Sequence, residues 1–430
     1  MAISAAKMTG QRLAAVYQPF QGGKLYEQGL LIVWFLITFL PLQGAAFSAL
    51  RYLLVLYYLS FLVVDARNTI GTFARSFWLL PVQVLAVLSV FWSPLPSEAM
   101  RSVMLNVTSA MIIIIIASQF TPKQIARCMM ITAMIASLFV LISPVPLIYG
   151  GPYASKNNLA MHMLMGYMLC LAFSMDKTED VLIRMAALPF AAMMAFFIVQ
   201  ADSTTALLFM LATTMVILFG RLIFIDLSRI QNIKTLLFLM GVAAFLAIIY
   251  AALAFLDQAL LDKFLGMFGK DSTLTGRTAL WDAAANEIRQ RPWLGLGMEG
   301  FWYYDSGVAQ TLNENDNKDY GTKLTFHNSY LEVAVHLGYV GLTLFIISLA
   351  WVVLQILIKM FRSPDMMVVG YSVLVLVGII TTFTESVLWG PFDAQTTLFF
   401  VAGAAYAGRE RKKLVGHLVV TEKPAQQAPA

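Results

Sequence analysis

What this sequence lacks first is charge. Only 12% of its 430 residues are Asp, Glu, Lys or Arg, while 59% are hydrophobic. A soluble domain carries about 25% charged residues. So little polar surface cannot solvate a globule, and the class that remains is a polytopic membrane protein. Cysteine is equally scarce: Cys128 and Cys170 both lie in apolar runs, which excludes a disulfide framework and leaves packing as their role. The residues through Gln28 hold no apolar stretch of the kind a cleaved signal peptide needs. No cytoplasmic loop is long enough for a catalytic domain, and no internal repeat is visible. The net charge of +5 invites a nucleic-acid reading, but the cations are spread over short loops at alternate helix ends rather than gathered on one face. No nucleic-acid partner is expected.

What is present is a succession of apolar runs. A spanning helix needs about 20 such residues. The fold class expected is therefore all-α, a polytopic bundle of about 12 transmembrane helices. The runs lie near 29–43, 45–64, 77–92, 102–119, 124–143, 158–174, 181–199, 205–224, 235–256, 331–356, 367–388 and 393–408. Basic residues orient them, because cytoplasmic loops collect Lys and Arg. With the N-terminus in the cytoplasm, the inner segments hold Lys7, Arg67, Lys123, Lys177, Arg221, Lys359 and the basic tail, among others. The short outer loops hold only Arg51, Arg101 and Lys156. Both termini should be cytoplasmic. The divisions are a cytoplasmic segment 1–28, helices 29–256, an outer loop 257–326, helices 327–408 and a basic tail 409–430 whose "PAQQAPA" end cannot fold. The outer loop carries helix patterns. Leu260, Leu261, Phe264, Leu265 and Phe268 suit a helix lying in the interface. In "TGRTALWDAAANEIRQRPW", Trp281, Ala284, Ala285 and Ile288 share a face, and Pro292 stops the run.

Several motifs fail on their physics. "GLGMEG" (Gly295–Gly300) matches GxGxxG, but dinucleotide binding needs a strand before it and a helix after it. A turn where backbone passes close to the membrane surface is expected instead. "NENDNKDYG" (Asn313–Gly321) lacks the glycine and the terminal carboxylate of a calcium loop, so it reads as a solvated loop. His327 and His336 fall on opposite faces of one helix at about 100° per residue, which prevents a shared metal unless the helix breaks. His162, alone in an apolar run, reads as a satisfied core histidine.

Other residues keep two readings. Arg277, beside Gly276 at a helix start, suits phosphate: free N–H groups, a positive dipole end and a planar cation meet there. It also suits a surface pair with Asp271 or Asp282. His327 can take a proton from a sugar hydroxyl near neutral pH, with Asn328 and Tyr330 orienting it or the substrate. His, Asn and Tyr are also at home at headgroup depth. Glu332 enters the span below them, where an ionisable group is costly and a function is the default. Lys156 in "YGGPYASKNN", Arg51 and Arg101 are available to neutralise a diphosphate, although most exposed cations do no such thing. Glu385 in "TTFTESVLWG" sits near the outer end of the eleventh span and suits either pairing with a cation or catalysis.

"TLTGRTALWDAAANEIRQRPWLGLGMEGFW" followed by "FHNSYLEVAVHLGYVGLTLF" resembles the O-antigen ligase and polysaccharide polymerase superfamily. There, a Gly-Arg-x-x-x-Trp helix and an Arg-Pro-x-x-Gly-x-Gly turn precede a His-Asn-x-x-Leu segment. The match covers about seventy residues, with "YASKNNLAMHM" as a weaker echo, and looks closest to the exopolysaccharide repeat-unit polymerase branch. The resemblance implies an inner-membrane glycosyltransferase working on the periplasmic side. It implies a donor glycan on undecaprenyl diphosphate, an acceptor sugar, and no nucleotide sugar, cofactor or metal. A chain-length regulator, a flippase and membrane lipid are further partners it suggests. It places the essential histidine on His327 and the diphosphate-binding arginine on Arg277. It adds Trp281 and Arg291, the latter in the Arg-Pro turn, as substrate or orienting residues. Trp281, Trp293, Trp302, Tyr303 and Tyr304 suit either sugar stacking or an interfacial belt. One departure stands out: where the family often has a basic residue after a serine, this chain has Thr204 after Ser203. A second cation must then come from Lys156, Arg51 or Arg101. The implied reaction extends a surface polysaccharide. Ligation to lipid A-core is the rival within the class, and a flippase for the same lipid the rival outside it.

Overall fold

The computed structural model describes residues 25–42, 44–227, a few positions between 230 and 243, and 277–407. Each expected span that is described contains a helix, although some helices stop short of the expected bounds, as at 40–42 and 382–388. The helices are α1 (Leu25–Phe39), α2 (Ala45–Val64), α3 (Ala66–Arg75), α4 (Pro81–Ser89) and α5 (Pro96–Gln119). Then come α6 (Pro122–Leu141), α7 (Lys156–Met175), α8 (Val181–Gln200) and α9 (Thr204–Arg221). Two loop helices follow, α10 (Arg277–Gln290) and α11 (Gly307–Asn315), and then α12 (Ser329–Arg362), α13 (Met366–Thr381) and α14 (Ala394–Ala407). The described residues contain no strand. Of the ninth expected span, 235–256, only positions 235–241 and 243 are described, and they are helical; its remainder, the interfacial helix around Leu260–Phe268 and both chain ends lie outside the described residues.

Seven of these helices are long and apolar enough to cross a bilayer. They number eight if α3 and the segment Phe77–Ser89, which meet at 71°, are counted as one broken span. The molecule is thus an all-helical, multi-pass membrane protein. Its central helix is α7, from Leu159 to Phe173 largely buried against its neighbours. At Gly166 a β-carbon would lie 2.6 Å from Met194 Sδ and 2.7 Å from Ala133 Cβ, so α6, α7 and α8 meet around a missing side chain. Small residues allow such approach where lipid supplies no hydrophobic drive between helices. By contrast α9 turns most of its side chains, such as Leu208, Leu211, Met215 and Phe219, outward.

The bundle's two ends differ. At one end Lys123 pairs with Asp176 (2.8 Å) and Glu179 (3.2 Å), and Arg127 with Glu179 (2.7 Å), tying the start of α6 to the turn after α7. At the other end lie the beginnings of α7, α9, α12 and α14 and the first described residue of α10.

One break was hidden from the hydropathy pattern. Inside α12, Gly338 leaves helical geometry (φ 64°, ψ −168°). The freed backbone is satisfied by the glycine turn. Leu296 and Gly297 N–H donate to the carbonyls of Val335 and His336 (both 2.9 Å), while Tyr339 N–H donates to Pro292 O (2.7 Å) and Val340 N–H to Trp293 O (3.2 Å). "GLGMEG" is therefore a backbone clasp on a broken helix. Non-helical backbone is tolerated at membrane depth only when protein satisfies it in this way. A second difference concerns the segment read as a solvated loop. Asn313 to Asn315 close α11, and Asn313 is fully buried with its amide donating to Thr322 O (3.0 Å). The pattern of charges there masked a structural asparagine.

A β-carbon at Gly338 would sit 2.2 Å from Trp293 backbone, in a left-handed conformation. Gly338→Ala should destabilise the protein by about 3 kcal/mol or more, read as a drop in the unfolding midpoint of purified protein. Gly29→Ala, where a β-carbon meets nothing within 4 Å, should leave it unchanged or raised.

Candidate functional site

Three side chains from separate parts of the chain meet on one carboxylate. Glu385 Oε2 accepts a hydrogen bond from His327 Nδ1 at 2.8 Å, and its Oε1 pairs with Arg277 Nη2 at 2.8 Å. Arg277 also donates through Nη1 to the carbonyl of Thr384. A carboxylate can only accept, so His327 carries its hydrogen on Nδ1 and presents Nε2 as the basic nitrogen.

The backbone explains why these groups meet. The eleventh span ends earlier than the sequence pattern suggested: α13 stops at Thr381, and Glu385 lies in the loop beyond it. That loop is stitched to the start of α12. Ser329 N–H donates to Thr382 O (2.9 Å), Ser329 Oγ donates to the carbonyls of Glu385 (2.9 Å) and Val387 (2.7 Å), and Val387 N–H donates back to Ser329 Oγ (2.9 Å). Asn328 caps α12, its side chain accepting from Tyr330 and Leu331 N–H. His327 sits just before the cap at φ 49°, a left-handed conformation that costs a β-carbon residue about 1–2 kcal/mol. Its neighbour Phe326 supplies the hold. The Phe326 ring is fully buried against Phe301 and Trp302, its N–H donates to Glu332 Oε2 (3.0 Å), and its carbonyl accepts from Trp281 Nε1 (2.9 Å). Glu332 also accepts from Ser386 Oγ (3.0 Å). The buried carboxylate thus has a positioning role, tying both the histidine segment and the Glu385 loop to α12.

Burial raises the Glu385 pKa. The hydrogen bond from His327 and the charges of His327 and Arg277 outweigh that and hold it below the ordinary carboxylate value.

This cluster lines a cavity of about 450 Å³, within the range of small-ligand sites. Asn157, Asn158, His162, Ser203, Asp393 and Gln395 line it too. Four helix starts are seen at its edge, and Arg277 is the first described residue of α10. Ser155 and Ser203 precede α7 and α9, His327 precedes the cap of α12, and Asp393 precedes α14. Each helix start contributes a partial positive charge of roughly half a unit. Together they favour an anion despite the carboxylates of Glu385 and Asp393.

The remaining expected residues are not gathered here. Lys156 turns to Asp202 (3.3 Å) and does not line the cavity. Arg51 lies over the Phe392 ring, 5.9 Å from its centroid. Arg101 and Arg291 are exposed and outside the cavity lining. Trp281 is taken up by its bond to Phe326, and Tyr330 by Thr382, whose Oγ1 lies 3.0 Å from the phenol oxygen. Asn328 is occupied as a cap. Among the aromatics, Trp302 is buried, Trp293 stacks edge-on against Tyr339, and Tyr304 meets Tyr320.

Residues 189–346 match the family described as O-Antigen ligase. That stretch runs from within α8 to the upper part of α12 and contains both Arg277 and His327. The chain is also similar to the exopolysaccharide production protein ExoQ of Rhizobium meliloti, 27% identical over 368 residues, covering 83% of this chain and 82% of the relative. A Rickettsia conorii protein that carries the provisional name polysaccharide ligase is 30% identical over 89 residues, 21% of each chain. These similarities support a place for the chain in the O-antigen ligase and polysaccharide polymerase superfamily. The chain's extended similarity to the exopolysaccharide protein places it near that branch.

Within this superfamily frame, Glu385 falls beyond the matched stretch, and the sequence offered only its position near a span end. His162, read as a satisfied core histidine, lines the cavity instead, and Asn158, Asp393 and Gln395 gave no signal, since an amide or imidazole in an apolar run looks the same whether it faces a cavity or a neighbour.

Because Glu385 is depressed below its ordinary value of 4.5, its contribution to stability is complete above that pH. It is lost as the pH falls through the lower, folded-state value. Glu385→Gln removes this dependence. From about pH 5 to about pH 3 the variant's unfolding midpoint should fall less steeply than that of the wild type, as read by thermal unfolding across a pH series.

Proposed function

We propose that this chain is an inverting, metal-independent membrane glycosyltransferase. It transfers a glycan from undecaprenyl diphosphate to an acceptor sugar and so extends a surface polysaccharide. The observation that carries the reading is the shared carboxylate: a base and a permanent cation are held together at the edge of a cavity where helix starts converge. In the reaction, His327 Nε2 takes the proton of the acceptor hydroxyl as its oxygen attacks the anomeric carbon. The bond from that carbon to the diphosphate oxygen breaks on the opposite face, so configuration inverts. The electron pair leaves on undecaprenyl diphosphate, whose growing charge Arg277 stabilises. Glu385 holds the histidine tautomer and stabilises the imidazolium that forms, as the third member of a catalytic triad does. The phosphoanhydride-linked donor already carries the activation, so no nucleotide site is needed.

The proposed setting is the bacterial inner membrane. About twelve spans, both termini in the cytoplasm and a periplasmic loop over 257–326 would place the cavity on the periplasmic face. Support comes from the charge distribution: Lys123, Arg127, Lys359 and Arg362 lie at helix ends away from the cavity. The Rhizobium relative is named for exopolysaccharide production, which suits the polymerase reading. The family description favours the second reading, a ligase that joins the finished glycan to lipid A-core.

Two experiments test this. With lipid-linked glycan and purified protein, His327→Ala should lower turnover by about 10²–10⁴-fold and Arg277→Ala by about 10²–10³-fold. Full turnover by both variants would refute the assignment. In a deletion strain, single repeat units left on the lipid carrier mark a polymerase. Long chains on the carrier beside bare lipid A-core mark a ligase.

A further inference from the structure

Part of the cavity lining has no task in the reaction just described. It comes from α7, the turn before α9 and the start of α14. Asn157 is exposed to the cavity, and its Oδ1 accepts from Ser203 Oγ at 2.9 Å. His162 lies about one and a half turns further along α7. Its Nδ1 lies 2.8 Å from the carbonyl of Asn158, which can only accept, so Nδ1 bears the hydrogen and Nε2 remains an acceptor. The ring is held edge-on to Phe39 (4.9 Å) and tilted against Tyr153 (4.8 Å), which fixes the direction of Nε2. Gln395 adds a second carboxamide, and Asp393 keeps one carboxylate oxygen on Thr396 as a helix cap.

We infer that Asn157, His162 and Gln395, backed by Ser203, form the subsite that recognises the hydroxyls of the sugar bonded directly to the diphosphate. This deepens the glycosyltransferase reading and rests on it. Three properties select the ligand. Among the described lining residues Arg277 is the one permanent cation, and it is not on this surface, so a phosphate group would meet only the partial charge of helix starts here. Two carboxamides, a hydroxyl and an imidazole acceptor are too polar for an isoprenoid chain. They do match vicinal hydroxyls, each of which donates and accepts at once, as a carboxamide does. Depth then separates donor from acceptor. His162 lies about 10 Å along α7 from its start, beside Met161, Met165 and Phe209, which give the cavity its apolar part. A sugar carried on a membrane lipid reaches that depth with its own apolar tail alongside. An acceptor arriving from water meets the helix ends first.

The test compares two lipids on the full-length protein in nanodiscs. One is the lipid-linked repeat unit extracted from a strain lacking this chain, the other is undecaprenyl diphosphate without sugar. Wild type should bind the first more tightly. Asn157→Ala, His162→Phe and Gln395→Ala should each weaken it by about tenfold while leaving affinity for the sugar-free lipid unchanged. Equal losses for both lipids would make this a diphosphate subsite and overturn the inference. So would unchanged donor binding accompanied by a raised KM for the acceptor glycan. Wild-type protein that binds neither lipid would instead defeat the glycosyltransferase reading itself. Asn157 projects into the cavity rather than into packing, so its variant remains informative if His162→Phe fails to fold.

Discussion

A single carboxylate decides what this cavity can do. Glu385 meets an imidazole on one oxygen and a guanidinium on the other, each at 2.8 Å. Without it, no group would bridge Arg277 and His327, and a protonated histidine would repel the arginine. With it, the histidine has one tautomer and the arginine one direction. The arrangement has a cost, since a negative charge beside a diphosphate is unfavourable. Two features offset it. Arg277 has five N–H donors and commits one nitrogen to Glu385 and another to Thr384, which leaves donors for a phosphate oxygen. Around it, the helix starts of α7, α9, α12 and α14 contribute partial positive charge.

The carboxylate is useful only because the backbone beneath it is rigid. Ser329 knits the Glu385 loop to the head of α12, and Glu332 ties both the histidine segment and Ser386 to the same helix. That helix is itself interrupted nine residues below the Asn328–Ser329 boundary, at Gly338, and the glycine turn after α10 closes the interruption. One clasp therefore links α10, which carries Arg277, to α12, which follows His327. The relative placement of base and cation is built through backbone hydrogen bonds rather than through the side chains that do the chemistry.

Much of this architecture was legible in the sequence. The apolar runs named the helices, because hydropathy reports a property each residue has on its own. Arg277 and His327 were legible because a helix start with an arginine, and a histidine at the mouth of a span, have chemical meaning locally. The break at Gly338 was not, since an apolar run continues through it and only the partner turn makes it tolerable. Glu385 was only half legible. Its identity was noted, but its two partners lie 58 and 108 positions away. Lys156, Arg51 and Arg101 were inferred only by their side of the bundle; Lys156 reaches Asp202 and Arg51 the Phe392 ring, a choice of partner that depends on packing.

The departure at Thr204 gains a physical meaning from this geometry. Thr204 is the first residue of α9, and the serine before it bonds to Asn157 rather than flanking a cation. Where the resembled family often places a second positive side chain, this chain has a helix start and a neutral amide. A helix start contributes roughly half a charge and cannot follow its ligand, whereas a lysine or arginine contributes a full charge on a movable arm. On the proposed reaction, the donor's diphosphate is then held less by charge, and more of the binding energy must come from its sugar and its lipid. A glycan donor loses its sugar in the reaction, so an enzyme that grips the sugar more than the diphosphate loosens its hold on the leaving carrier as soon as transfer is complete. On that reading, neutral recognition at Asn157 with Arg277 as the one charged side-chain contact would favour release of the spent lipid, the step that every further round of chain extension requires.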